Sequence, residues 1–137
     1  YTQRLKETDN LNLILTVEGE FERLYNKAEI AIFAVIQETV NNAKKYAQAS
    51  RIDLIVRPDE SKDTLTIIIK DDGVGFDVHE VMARYDKRGS LGMINIQERT
   101  DAINGTFKIR SEVGHGAEII LTLPLIENLL SSQKEDK

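Results

Sequence analysis

Glu38, Asn42 and Lys45 fall within about 60° of one another when residues 27 to 47 are wound as a helix at 100° per residue. They put a carboxylate, an uncharged amide oxygen and an ammonium group on one face. A solvated helix face is the plain alternative. Against it, Asn41 and Asn42 stand in mid-helix, where Asn is worse than Ala by roughly 0.5 kcal/mol each. The three residue types suit a hydrated Mg²⁺ and the phosphates it bridges. A second group, Asp71-Asp72-Gly73-Val74-Gly75-Phe76, follows a strand directly. Its glycines, Gly73 and Gly75, permit close approach of the backbone to a ligand, although Asp-Gly is also a common turn pair. A carboxylate at a strand end offers an acceptor to a base amino group. No Gly-Lys-Ser/Thr follows, no third glycine opens a helix, and the spacing of an EF-hand loop is absent, which excludes those three motifs.

Two further groups read as plain loops when taken alone. Gly89-Ser90-Leu91-Gly92 feeds a helix N-terminus, where free N–H groups favour an anion, and Arg84, Lys87 and Arg88 precede it. Gly114-His115-Gly116 has the residues of a hairpin turn.

The elements that must position these groups follow from periodicity. Leu11 to Val17 alternates as a strand. Ile32, Ile36, Val40, Ala43 and Ala47 form the apolar stripe of a helix over residues 27–47. Arg51–Arg57 and Thr64–Lys70 are two strands joined by the polar turn Pro58 to Asp63. Residues 77–89 are mixed and charged and read as a mobile segment. A helix over Met93–Ile103 is stopped by Asn104-Gly105. Thr106–Ser111 and Ala117–Leu123 make a second hairpin, and Pro124 ends its last strand. The expectation is an α+β two-layer sandwich, a mixed, mostly antiparallel sheet covered on one face by helices. One domain is expected over residues 1–126, with a polar tail over residues 127–137.

Composition sets the outer bounds. A chain of 137 residues is one domain with room for a core. There is no cysteine, which excludes disulfides, thiolate metal sites and cysteine nucleophiles and fits a cytoplasmic protein. Lys and Arg number 18 against 23 Asp and Glu, a net charge of −5, so a nucleic-acid partner is not expected. No apolar run is long enough to span a bilayer, and no direct membrane contact is expected of this domain. The first residue is Tyr1, and the chain reads as a piece of something longer.

Taken in order, the four groups resemble the boxes of one family over about residues 10 to 125. The chain is similar to the ATP-binding catalytic domain of bacterial two-component sensor histidine kinases, whose fold is shared with gyrase B, Hsp90 and MutL. Gln37 to Lys45 (QETVNNAKK) looks like the N box, and Asp71 to Phe76 (DDGVGF) like the G1 box. Gly89 to Arg99 (GSLGMINIQER) looks like the G2 box of the subfamily paired with helix-turn-helix response regulators. Gly114-His115-Gly116-Ala117, with the apolar alternation that follows, looks like the last box.

The resemblance implies Mg-ATP as ligand and roles for single residues. Asn42 would ligate Mg²⁺, with Glu38 beside it as metal-shell carboxylate or general base. Lys45 would approach the phosphates. Asp71 would accept from the adenine amino group, and Gly73 and Gly75 would shape the adenine pocket. Residues 77–92, with Ser90, Leu91 and Gly92 at their end, would be the ATP lid. Gly114, His115 and Gly116 would complete the nucleotide site. The γ-phosphoryl group would pass to a His on separate dimerisation helices, which this stretch lacks, and then to a response regulator with a helix-turn-helix output domain. The isolated domain would be a monomer. Tyr46 stands where the subfamily has His, and Ala117 where it has Thr. Two rival readings share the fold: an ATP-binding-deficient docking module, and a serine protein kinase of the anti-sigma type.

Overall fold

The computed structural model describes residues 2–8, 11–42, 50–73, 96–111, 114, 116–125 and 128–129; the side chains of residues 2–8, Leu11 and Asn42 lie outside the description. Six strands form one sheet: β1 (Thr2–Thr8), β2 (Leu11–Val17), β3 (Arg51–Pro58), β4 (Thr64–Asp71), β5 (Thr106–Ser111) and β6 (Ala117–Pro124). Their spatial order is β1-β2-β3-β4-β6-β5. β2 and β3 are parallel, joined through the helix α1 (Asn26–Asn42); the other four pairings are antiparallel. A second helix, α2, is described over residues 96–101. The mixed, mostly antiparallel sheet is thus the expected one, with an added strand, β1.

Alternation in the strands decides which face is covered. Ile52 and Leu54 on β3, Leu65, Ile67 and Ile69 on β4, and Leu121 and Leu123 on β6 are all buried. Ala28, Ala31 and Val35 of α1 and Ile96 and Ile103 from the α2 region complete that core. On the other face the register sets Asp53, Lys70, Glu118 and Arg110 side by side across β3, β4, β6 and β5. Their charges alternate in sign, a favourable cross-strand order for a face left to solvent.

α1 packs differently from the expected stripe. Its most buried positions are Ala28, Ala31, Val35 and Thr39, while Ile32, Ile36 and Val40 are half-buried one residue further round. Two small alanines let the helix backbone come close to the sheet, and the branched residues fill the flank. Buried Thr39 satisfies its hydroxyl by donating to the Val35 carbonyl at 2.8 Å. Ile30 and Phe33 stand on the far side of α1, 62% and 65% exposed.

α2 ends in a Schellman closure. Gly105 N–H donates to the Thr100 carbonyl at 2.9 Å and Asn104 N–H to that of Asp101 at 3.1 Å. Asn104 takes the left-handed conformation, at φ 59°. Gly105 has another reason to lack a side chain, since a Cβ there would lie 2.9 Å from the Thr122 carbonyl oxygen on β6.

The packed body runs past residue 126, where the tail was expected to start. Asn128 and Leu129 are 2% and 7% exposed. Leu129 bridges to Leu24 just before α1, and Tyr25 N–H donates to the Asn128 carbonyl at 3.0 Å. The Asn128 amide donates to the carbonyls of Ile103 and Pro124 at 3.0 and 2.8 Å. This segment ties the start of α1, the end of α2 and the end of β6 together. The sequence reading ended the body just past Pro124, which ends β6, and so passed over it.

Candidate functional site

β4 ends on Asp71, half-buried at the mouth of the turn that follows. Its Oδ1 accepts from Gly73 N–H at 2.8 Å and from Ala117 N–H at 3.3 Å. The carboxylate is therefore oriented both by its own turn and by the neighbouring strand β6. Among the described residues Oδ2 accepts no hydrogen bond. Burial pushes the Asp71 carboxyl above the usual carboxylate range; the two N–H groups oppose the shift and the nearby Asp72 charge adds to it. A half-buried acceptor with one oxygen unpartnered among the described residues is suited to a neutral N–H donor from a ligand.

Gly116 makes this arrangement possible. Its φ is +77°, and a Cβ there would run into the Asp71 carbonyl oxygen. Only glycine meets both conditions. Its own carbonyl is held by the Ser111 hydroxyl at 3.1 Å. Gly114 also has positive φ, but it is exposed and a Cβ there would meet nothing within 4 Å.

The adjacent Asp72 does different work. Its carboxylate accepts from Ser50 N–H at 2.8 Å, Arg51 N–H at 2.9 Å and the Ser50 hydroxyl. Asp72 N–H in turn donates to the Arg51 carbonyl at 3.2 Å. Partial burial alone would raise its carboxyl, but these hydrogen bonds outweigh it and hold Asp72 below the usual carboxylate range. Asp72 thus fastens the start of β3 to the turn that presents Asp71. The sequence reading singled out Asp71 and gave Asp72 no role.

Glu38 lies elsewhere. It is half-buried on α1 and lines a cleft of about 230 Å³ between the two helices. The other lining residues are Ala34, Gln37, Asn41, Ile96 and Arg99. Asp71 is not among them. The described residues therefore gather Asp71, Gly73 and Gly116 at one place and set Glu38 at another. The α1 backbone reaches Asn42, one turn after Glu38. Among the described residues no group of three or more His, Cys, Asp or Glu is placed to hold a metal ion. A donor set of one carboxylate and one amide fits a cation that arrives with phosphate oxygens, not one caged by protein alone. Arg99 and Asn41 were given no site role from sequence; Arg99 closes the G2-like segment, and Asn41 was marked only as an unfavourable Asn in mid-helix beside Asn42.

Lys45, Gly75, Ser90, Leu91, Gly92 and His115 lie outside the described residues, as do Tyr46 and the lid assigned to residues 77–92. Among the described residues no helix is long and apolar enough to cross a membrane.

Comparison with known proteins gives one consistent answer. The sequence profile described as histidine kinase-, DNA gyrase B- and HSP90-like ATPase matches residues 27–127. An uncharacterized sensor-like histidine kinase of Chloroflexus aurantiacus is 38% identical over 128 residues, which are 91% of this chain and 21% of that protein. The signal transduction histidine-protein kinase/phosphatase DegS of Bacillus subtilis is 38% identical over 108 residues, 79% of this chain and 27% of that one. The chain thus spans about a fifth to a quarter of the curated relatives it matches. Among solved structures, the histidine kinase domain of the blue-light activated histidine kinase from Erythrobacter litoralis EL346 superposes with a TM-score of 0.66. That likeness covers 83% of this chain and 55% of the other at 16% identity, and speaks to the fold.

Proposed function

The chain belongs to the histidine kinase-, DNA gyrase B- and HSP90-like ATPase family, and on that footing we propose that it is the ATP-binding part of a sensor histidine kinase. The single observation that carries the reading is Asp71. Its Oδ1 is fixed by two backbone N–H groups, and among the described residues its Oδ2 has no donor and is available to a ligand. The adenine amino group donates to that oxygen. Guanine presents a carbonyl at the same position and is repelled by it.

The remaining contacts follow the α1 face. Asn42 and Glu38 would hold Mg²⁺, and Lys45 would approach the phosphates. When bound, Mg²⁺ neutralises charge on the phosphates during transfer. A His on separate dimerisation helices is the nucleophile. Its imidazole nitrogen forms a bond to the γ-phosphorus as the bond to the β–γ bridging oxygen breaks, and ADP leaves. The phosphoryl group then passes to a response regulator with a helix-turn-helix output domain, the kind paired with the subfamily whose G2 box this segment resembles. Residues 77–92 close over the nucleotide as a lid. The domain works on the cytoplasmic side as a monomer, its dimerisation belonging to the acceptor helices. Ala117 keeps the backbone N–H that orients Asp71, although it lacks the hydroxyl of the Thr that the subfamily has there.

Calorimetric titration with ATP, with and without Mg²⁺, tests this beside Asp71→Asn. Binding that responds to Mg²⁺ and is about tenfold or more weaker in the variant is the expected outcome. Equal binding by the parent and the variant would place the site elsewhere. No binding at millimolar ATP would favour a docking module.

A further inference from the structure

The cleft between the two helices contains a group that the reading above leaves unused. Among the described residues that line it, Arg99 is the only cation. It is exposed, and it has no hydrogen-bond or ion-pair partner among the described residues. Its place is nonetheless fixed. Thr100, next to it, and Ile96, one turn before, are fully buried, and the Thr100 hydroxyl donates to the Ile96 carbonyl at 2.7 Å.

The facing wall is α1, which brings Gln37 and Asn41 beside Glu38. A guanidinium and two carboxamides supply N–H donors for oxyanions, while the carboxylate repels an anion and attracts a cation. Together they suit an anion that arrives with its own cation, as a metal-bridged phosphate does. Asp71 is not among the residues that line this cleft, so the base and the phosphates of one nucleotide would be held by different residues.

We propose that Arg99 receives the terminal phosphate of ATP and makes the site discriminate ATP from ADP. This rests on the nucleotide reading of the site. The guanidinium fork takes two oxygens of one phosphate at once, and Arg keeps its charge at every working pH. Once the terminal phosphoryl group has been transferred, those oxygens are gone and the contact goes with them. ADP is then held by the Asp71 end and the remaining phosphates alone, which favours its release.

Calorimetric titration of the chain with Mg-ATP and Mg-ADP, repeated on Arg99→Gln and Arg99→Lys, tests the assignment. Arg99→Gln is expected to lose about tenfold or more in ATP affinity, the size of a charge-assisted contact, and to keep its ADP affinity. Arg99→Lys restores part of the loss, since it keeps the charge and gives up the fork. Gln matches Arg in helix propensity, and an unchanged unfolding midpoint checks that the fold is kept. An equal loss for both nucleotides, or no loss for either, overturns the proposal while leaving the ATP site standing. If the parent chain binds neither nucleotide, the reading of the site falls first and Arg99 falls with it.

Discussion

Two neighbouring aspartates carry opposite perturbations, and each makes a prediction. Burial raises the Asp71 carboxyl. Its folded-state pKa therefore exceeds its unfolded one, and above that pKa the ionised group subtracts from stability. Asp71→Asn keeps an oxygen to accept from Gly73 and Ala117 and carries no charge. Its melting midpoint at neutral pH is expected to equal or exceed the parent's, while ATP affinity falls about tenfold or more. Scanning calorimetry beside titration checks both, and a steep fall in midpoint would make Asp71 a structural residue. Because the acceptor must be ionised, the affinity difference between parent and variant shrinks as pH falls, starting above the usual carboxylate range. Asp72 is the reverse case, held low by its hydrogen bonds against the opposing effect of burial. Its stabilisation is present above the unfolded carboxylate pKa and is lost as pH falls through the depressed folded value. Asp72→Ala should cost about 1 kcal/mol at neutral pH, read from denaturant midpoints, and less in acid. At this scale the sequence was legible where a motif names a position, as at Asp71 and Gly73. It was not legible for Asp72, whose partners Ser50 and Arg51 are distant in the chain and near only through the β3–β4 register.

At the scale of elements, what could be read depended on how one-sided the burial was. β3, β4 and β6 alternate because one face of each meets the core, and the two hairpins follow. β1 has a single apolar residue, Leu5, in seven, and lies at the sheet edge, so periodicity had nothing to report. In α1 the branched residues drew the stripe to Ile32, Ile36 and Val40, while close packing prefers the small face through Ala28 and Ala31. Counting apolar bulk finds the wider flank and misses the tighter contact. The stop of α2 was legible as Asn104-Gly105, with the roles reversed from habit: Asn104 is left-handed, and Gly105 is small for β6. Asn104→Gly should therefore keep or slightly raise stability, and Asn104→Ala should lower it by about 1 kcal/mol. Equal midpoints for both variants would remove the left-handed position as the cause.

For the molecule as a whole, the segment ending at Leu129 holds the layers together. Asn128→Ala removes the donor from two carbonyls in the interior, those of Ile103 and Pro124. About 2 kcal/mol should be lost, with the denaturant slope unchanged, as expected for a two-state body. A surface tail would show no change. The clamp escaped the sequence reading because its value lies in joining three distant elements, none of which marks it locally.

The strand order has a consequence for synthesis. β6 lies between β4 and β5, although it is made after both. Until it emerges from the ribosome, β5 has no neighbour in the sheet and Asp71 lacks its Ala117 donor. The chain can assemble β1 to β4 as it is made, but the carboxylate at the end of β4 becomes fully oriented only when β6 is inserted. Nucleotide then reaches a site whose completion coincides with closure of the sheet, so a nascent chain halted before Ala117 carries the G1-like sequence without its finished geometry.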